Sequence, residues 1–299
     1  MPTTPAGKRL SLVEIEENPL ATDSSLRAGS SHFRHCCGRF SPSRRPVAVD
    51  DTWVAVVKAY SVERIIGGEE CVRHSQPWQV ALYYFGTFIC GGVLINESWV
   101  LTAAHCNASN IQVRLGKHNL TNAEETEQLT YAVKICIHGE YNIKTDDNDI
   151  MLLKLASPAI LNEYVAIIPL CSSVIEEDED CSISGWGTTT SPQVMHPDVL
   201  MCANVTTFSD AECQEFYDGI TENMLCAGVL EGGIDSCQGD SGGPLVCRSE
   251  PSQLCGIISW GHPICGQPNK PGVYTKVFNY LVWINYVMET ENSDVCRNA

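Results

Sequence analysis

From Ile65 onward the chain alternates between short apolar runs and short polar breaks. The runs are WQVALYYF, GGVLINESWVLTAA, IQVRLG, LTYAVKICIH, DIMLLKL, GGPLVC, CGIISWG and GVYTKV, rich in β-branched, aliphatic and aromatic residues. Gly, Asn, Asp and Pro separate them. Runs this short at this spacing predict an all-β sandwich or barrel. One segment follows a different period. In KVFNYLVWINYVMET, Val277, Tyr280, Leu281, Ile284, Val287 and Met288 recur at three- and four-residue steps. That predicts a C-terminal helix laid on the β core. Residues 1–64 show no sustained period and read Ser/Pro/Arg-rich. They are expected to be a disordered pro-segment or a misassigned start, which leaves 65–299 as the folded domain.

Composition sharpens this division. Hydrophobic residues are 44% of the 299 and charged residues 18%, enough apolar material for a core. No run approaches the ~18 apolar residues of a membrane span. The formal net charge is −17. Residues 1–64 carry nine basic groups against seven acidic ones, so the acidic excess belongs to 65–299. An acidic domain argues against a nucleic-acid partner, whose phosphates select basic surfaces. The sixteen cysteines predict an oxidising, extracellular setting. The opening PTTPAGKRL has no apolar leader core, and Trp53–Val57 is too short to be one. Secretion is therefore expected on the cysteines alone.

Three segments carry candidate chemistry. Gly239-Asp240-Ser241-Gly242-Gly243 places a serine in a glycine-rich turn, where a backbone can approach a substrate. A serine hydroxyl is a weak nucleophile until a base takes its proton. His105, in Leu101-Thr102-Ala103-Ala104-His105-Cys106, is a candidate base. Asp149, in Asp147-Asn148-Asp149-Ile150-Met151-Leu152-Leu153, is a candidate for the acid that orients it. Each signal alone also fits a packed histidine or a strand-end acid. Their order, His then Asp then Ser, is one of the orders in which such triads occur.

With Ile65-Ile66-Gly67-Gly68, Ser184-Gly185-Trp186-Gly187 and Asp235–Pro244, these segments resemble the trypsin/chymotrypsin family of serine proteases over residues 65–299. The resemblance implies two packed antiparallel β-barrels with the active site between them. It implies a triad of His105, Asp149 and Ser241, with an oxyanion hole formed by the N–H groups of Gly239 and Ser241. It implies an Arg/Lys-selective pocket with Asp235 at its floor, Gly261 and Gly272 in its walls, and Ser259-Trp260-Gly261 pairing with the substrate backbone. Gly261-His262-Pro263-Ile264-Cys265 is one residue longer than in trypsin and is similar to kallikrein-type spacing. Arg64-Ile65 matches a zymogen cleavage site, with the freed Ile65 amine expected to pair with Asp240. Ser61-Val62-Glu63-Arg64 lacks the acidic run of digestive zymogens, and Arg64 itself suits the Asp235 pocket, so self-activation is an expectation.

The same resemblance implies the bridges Cys71–Cys202, Cys90–Cys106, Cys181–Cys247, Cys213–Cys226 and Cys237–Cys265. Cys136 with the C-terminal Cys296, and Phe278 in Thr275–Tyr280, are similar to the snake-venom serine proteases, whereas Val72–Leu82 reads more like a trypsin or tissue kallikrein. Cys171 is left to pair with Cys255, or with Cys36 or Cys37 of the pro-segment. The reading is thus a secreted trypsin-like endopeptidase of kallikrein or venom type acting on plasma-type proteins. The alternatives are a tissue kallikrein or trypsin without a toxin role, or a non-catalytic glycoprotein binding through its acidic surface. Expected partners are protein substrates with Arg or Lys at the cleaved bond and protease inhibitors. Neither nucleic acid nor membrane is expected as a partner, and the chain is expected to be a monomer.

Secondary features add detail. Asn96, Asn107, Asn119 and Asn204 begin N-x-Ser/Thr sequons. In the loop Leu115–Thr130, Glu124 and Glu127 match two calcium-ligand positions of trypsin-like enzymes. Lys117 replaces a third, acidic one, so no tight metal site and no cofactor are expected. The acidic run Glu176–Asp180 reads as a solvated loop. His74, His118 and His138 lack metal-ligand spacing. Asp146 and Asp147 are expected to border the cleft and favour a cationic residue beside the cleaved one.

Overall fold

The structure, a computed structural model, describes residues 65–191, 197–248, 251–292 and 294–299. The expected pro-segment, Arg64 included, lies outside the described residues. After a two-residue strand β1 (Glu69–Glu70), six strands follow: β2 (Gln79–Tyr84), β3 (Thr87–Asn96), β4 (Trp99–Thr102), β5 (Gln112–Leu115), β6 (Gln128–Ile137) and β7 (Met151–Leu155). They pair antiparallel in the order β6-β5-β2-β3-β4-β7, and a β6–β7 pairing closes the ring. A second ring is built from β8 (Asp180–Gly185), β9 (Met201–Thr207), β10 (Met224–Gly228), β11 (Pro244–Cys247), β12 (Gln253–Trp260) and β13 (Gly272–Lys276). Its order is β9-β10-β13-β12-β11-β8, closed by β8–β9. The expected all-β fold of two closed antiparallel barrels is the fold observed. Closure matters physically, because it leaves few unpaired strand edges.

The apolar runs of the sequence became β2–β7 and β11–β13. Three strands, β8, β9 and β10, were not among them. β9, MCANVTT, is buried at alternate positions and places Asn204 outward, so its polar outer face hides the strand from a search for apolar runs. A helix, α1 (Asp210–Phe216), was also passed over. Its signature is local: Ser209 accepts the Glu212 N–H while the Glu212 carboxylate accepts the Ser209 N–H, a reciprocal cap. The predicted C-terminal helix is α2 (Leu281–Thr290), preceded by a 3-10 turn at Val277–Tyr280. Val277, Tyr280, Ile284 and Val287 are buried in the core of the first barrel. Glu291 ends the helix in a left-handed conformation, and its carboxylate takes both Lys134 and Lys154. A last strand, β14 (Cys296–Asn298), lies beside the distal half of β6, which β5 is too short to cover.

Seven disulfides cross this frame: Cys71–Cys202, Cys90–Cys106, Cys136–Cys296, Cys171–Cys255, Cys181–Cys247, Cys213–Cys226 and Cys237–Cys265. Cys171 therefore pairs inside the domain and not with the pro-segment. Between the barrels, Ser184 donates to Gln79 at 2.7 Å and Trp186 Nε1 donates to the His118 carbonyl at 3.0 Å. No helix among the described residues is long and apolar enough to cross a membrane.

Candidate active site

His105 sits in a single 3-10 turn, Ala104–Cys106, at the end of β4. The Cys90–Cys106 bridge ties that turn to β3. Asp149, fully buried just before β7, clasps the histidine twice. One carboxylate oxygen accepts the His105 backbone N–H at 3.0 Å, and the other lies 2.7 Å from Nδ1. The second oxygen also accepts the Ser259 hydroxyl at 2.6 Å, and Thr275 Oγ1 donates to the Asp149 carbonyl at 2.7 Å. Buried polar oxygens need donors in place of water, and these supply them. Burial pulls the His105 pKa down, but the Asp149 hydrogen bond and charge outweigh it and the net shift is upward. The arrangement leaves Nε2 as the nitrogen available to a substrate or nucleophile.

Ser241 reaches the same turn through the backbone. Its carbonyl accepts the Gly91 N–H at 2.8 Å, and the Gly91 carbonyl accepts the Thr102 hydroxyl at 2.9 Å. Gly91 follows the bridged Cys90, and Thr102 is three residues before His105. The contact requires Gly242, whose φ is +78°, because a Cβ there would stand 2.1 Å from Thr102 Oγ1. Among the described residues Ser241 Oγ makes no hydrogen bond to His105, a contact that is commonly long before substrate arrives.

The N–H groups of this loop alternate in use. Asp240 donates to Cys237, Gly242 to Ile258 and Gly243 to Asp240, at 2.8–2.9 Å. Among the described residues nothing accepts the N–H of Gly239 or Ser241. Gly239 has φ +101°, a turn geometry that separates its N–H from that of Asp240. Two neighbouring free donors suit an oxyanion.

A cavity of about 200 Å3 opens beside Ser241, lined by Ser236, Gln238, Ser259, Trp260, Gly261 and other residues up to Cys265. Asp235 is not in the lining; it lies one residue behind Ser236, 4% exposed. Its carboxylate accepts the Gly266 N–H at 2.9 Å. A Cβ on Gly272 would stand 3.2 Å from Asp235 Oδ1, so Gly272 lies directly against the carboxylate. A Cβ on Gly261 would come only to 3.8 Å of Gly272, so these two glycines adjoin. Burial pushes the Asp235 carboxyl up to about 7; the Gly266 N–H works against that shift and the charge of Asp240 adds to it. Among the described residues no cation pairs with it.

Asp240 is fully buried, with oxygens accepting the N–H of Cys237 at 2.9 Å and of Gly187 at 2.7 Å. Burial pushes its carboxyl up to about 7 as well. Cβ atoms on Gly185 and Gly187 would stand 2.1 and 2.3 Å from its oxygens, which accounts for the glycines in Ser184–Gly187. Ile65 is fully buried, in a cluster with Ile183 of β8. Ile66 bridges Asp235 through the backbone.

Other expected positions divide. Asp146 is half-buried and its carboxyl is raised by burial and by the nearby Asp149 charge; it also acts electrostatically on His105. Asp147 differs from expectation: it bonds Thr221 at 2.6 Å and Asn223 at 3.1 Å, bracing the loop before Asp149 against the second barrel. Lys117 is buried, its ammonium 2.8 Å from both the Asn122 carbonyl and Glu127, while Glu124 accepts the N–H groups of His118 and Asn119. An amine thus occupies the centre of that loop. Glu176–Asp180 are all exposed, and Thr207 pins their backbone. His138 packs on Tyr280 and Trp283, and His118 pairs with Glu70. Sequence reasoning missed the hydroxyls of Thr102, Thr275 and Ser259 as supports of the site. A polar residue in a barrel strand gives no signal until the topology places a partner opposite it.

Comparison with known proteins agrees with this geometry. The sequence profile of the family described as Trypsin matches residues 65–284. Trypsin of Sus scrofa is 52% identical over 223 residues, 74% of this chain and 94% of its own. Trypsin-3 of Salmo salar is 49% identical over 229 residues, 76% and 94%. Serine protease 1 of Homo sapiens is 51% identical over 223 residues, 74% and 88%. The solved structure of neuropsin, a serine protease expressed in the limbic system of mouse brain, superposes with a TM-score of 0.70 at 46% identity, covering 74% of this chain and 98% of that one.

Proposed function

The chain belongs to the trypsin family of serine endopeptidases, and on that premise we propose that it cleaves peptide bonds after Arg or Lys. The observation that carries the specificity is Asp235, a buried carboxylate that pairs with no cation among the described residues and lies behind a cavity that opens beside Ser241. A guanidinium or ammonium entering there would supply the missing partner. In the proposed reaction Ser241 Oγ attacks the scissile carbonyl and His105 takes its proton. Asp149 holds the imidazole and stabilises its charged form. The N–H groups of Gly239 and Ser241 receive the oxyanion, a stabilisation of roughly 3–4 kcal/mol per donor. His105 then returns the proton to the leaving amine, and water repeats the sequence on the acyl-enzyme.

We also propose secretion and activation at Arg64-Ile65. The fully buried Asp240, which pairs with no cation among the described residues, and the buried Ile65 support activation, because a new α-amine at Ile65 would neutralise that carboxylate and fix the turn holding Gly239 and Ser241. Plasma-type proteins remain the proposed substrates. The Cys136–Cys296 bridge supports the venom-type reading, and the spacing of Gly261–Cys265 the kallikrein-type one. The test uses protein beginning at Ile65 and amides ending in Arg, Lys, Phe or Val. Turnover of Arg and Lys amides that vanishes in Ser241→Ala is the expected result. Absence of turnover with native disulfides and a free Ile65 amine would overturn the reading in favour of a binding protein.

A further inference from the structure

A surface cavity of about 500 Å3 lies among loops beside the first barrel, outside the site described above. Asn119, Arg73, His74, Glu125 and Tyr164 are in its wall. Asn119 begins one of the four sequons, and it differs from the other three. Its side-chain oxygen accepts the Thr121 N–H, the Thr121 hydroxyl and the Asn122 N–H, each at 2.9 Å. The oxygens of Asn107 and Asn204 instead take the guanidinium groups of Arg297 and Arg248. Asn96 takes only the Ser98 N–H. At Asn119 alone among the four, the sequon hydroxyl bonds the carboxamide that would be modified. Among the described residues nothing accepts from its Nδ2, the atom a sugar would join.

We propose that Asn119 is the preferred N-glycosylation site of this chain and that its first sugar is seated in the adjoining cavity. The donor class is a lipid-linked oligosaccharide pyrophosphate. Asn119 Nδ2 forms the bond to the anomeric carbon, that carbon's bond to phosphate breaks, the lipid pyrophosphate leaves, and Nδ2 loses one proton. A hydroxyl donating to Oδ1 draws charge onto the oxygen and lowers the cost of that proton loss. The contacts to Asn119 Oδ1 span only residues 119–122, so they can form before the barrel does. In the folded protein the cavity offers what a hexosamine recognises. Tyr164, edge-to-face with His74 at 4.8 Å between centroids, presents a ring to the sugar's C–H face. Arg73 and Glu125 provide a donor and an acceptor for its hydroxyls.

The inference rests on passage through a secretory route, so the experiment supplies one. The full chain is expressed behind a cleavable leader in a glycosylating host, with an added C-terminal sequon as control. Peptide mass mapping is expected to show Asn119 occupied more fully than Asn96, Asn107 or Asn204, with occupancy lost in Thr121→Ala and kept in Thr121→Ser. An occupied control with Asn119 empty, or no fuller than the others, overturns the site. The seat is tested by melting. Tyr164→Ala is expected to lower the Tm of the glycoprotein by several degrees more than it lowers that of Asn119→Gln. Equal losses in the two backgrounds overturn the seat. Amide hydrolysis is read separately and bears only on the protease assignment.

Discussion

Asp235 is both the proposed specificity group and a carboxyl raised to about 7 by burial. A cation can pair only with its ionised form, so binding must be linked to deprotonation. The ionised fraction is about 9% at pH 6, 50% at pH 7 and 91% at pH 8 for a pKa of about 7. The Ki of a small guanidinium such as phenylguanidine should therefore fall about tenfold from pH 6 to pH 8, or about 1.4 kcal/mol, with more than half of that before pH 7. The ligand stays in the pocket, so the reading does not depend on proton transfer by His105. The assay is competitive inhibition of Arg-amide hydrolysis by protein beginning at Ile65, where the new amine is proposed to hold Asp240 ionised throughout. Calorimetry in two buffers should find about 0.9 proton released per ligand at pH 6 and about 0.1 at pH 8. Asp235→Asn should bind at least about a hundredfold more weakly, with no slope. A flat Ki from pH 6 to 8 in the native enzyme would refute the linkage, because Asp235 would then be ionised in the empty pocket.

Stability should follow the same group with the opposite sense. A carboxyl raised on folding imposes no cost below pH ~4, and the cost grows as pH rises to about 7. The ceiling is about 4 kcal/mol. Asp235→Asn should thus match the native chain in urea unfolding at pH 4 and exceed it at pH 8; equal stability at both would contradict the burial argument. Lys117→Ala should destabilise the domain by about 1–3 kcal/mol, since it strands the Asn122 carbonyl and leaves Glu127 with Arg114 as its one remaining ion-pair partner among the described residues. Native Tm should ignore both EDTA and millimolar calcium, whereas Lys117→Glu should melt higher in calcium; a calcium response in the native chain would defeat this account. Gly187→Ala places a Cβ 2.3 Å from Asp240 Oδ2 and should cost about 2 kcal/mol or more, together with most Arg-amide activity. Native-like melting and turnover in that variant would mean the turn can move aside.

Much of this molecule was legible before any coordinates. The strands with apolar faces on both sides, such as β2 and β7, declare themselves in composition, and the terminal helix declares itself by period. β8–β10 did not, because DCSISG, MCANVTT and MLCAG, although mostly buried, carry few bulky side chains and several polar or small ones. The triad was legible as three motifs in order, but not its support. That Ser259 would bond Asp149, and that Asp147 would brace Thr221 and Asn223, follows from which barrel strands come to lie together. Their partners are 74 to 110 positions away in sequence, beyond the reach of local pattern.

The bridges bear on how the proposed activation would end. Every cysteine between residues 65 and 299 is closed on another within that span. Of the sixteen in the chain, only the adjacent Cys36 and Cys37 remain. A cut after Arg64 would therefore leave the first 64 residues with no covalent thread to the domain, and a non-reducing gel of the cut protein should show the two parting. Activation of that kind has no return path: the removed segment cannot be held nearby to quench what it released. Restraint must then come from another molecule, and the lifetime of the active species would be set by inhibitor concentration and clearance.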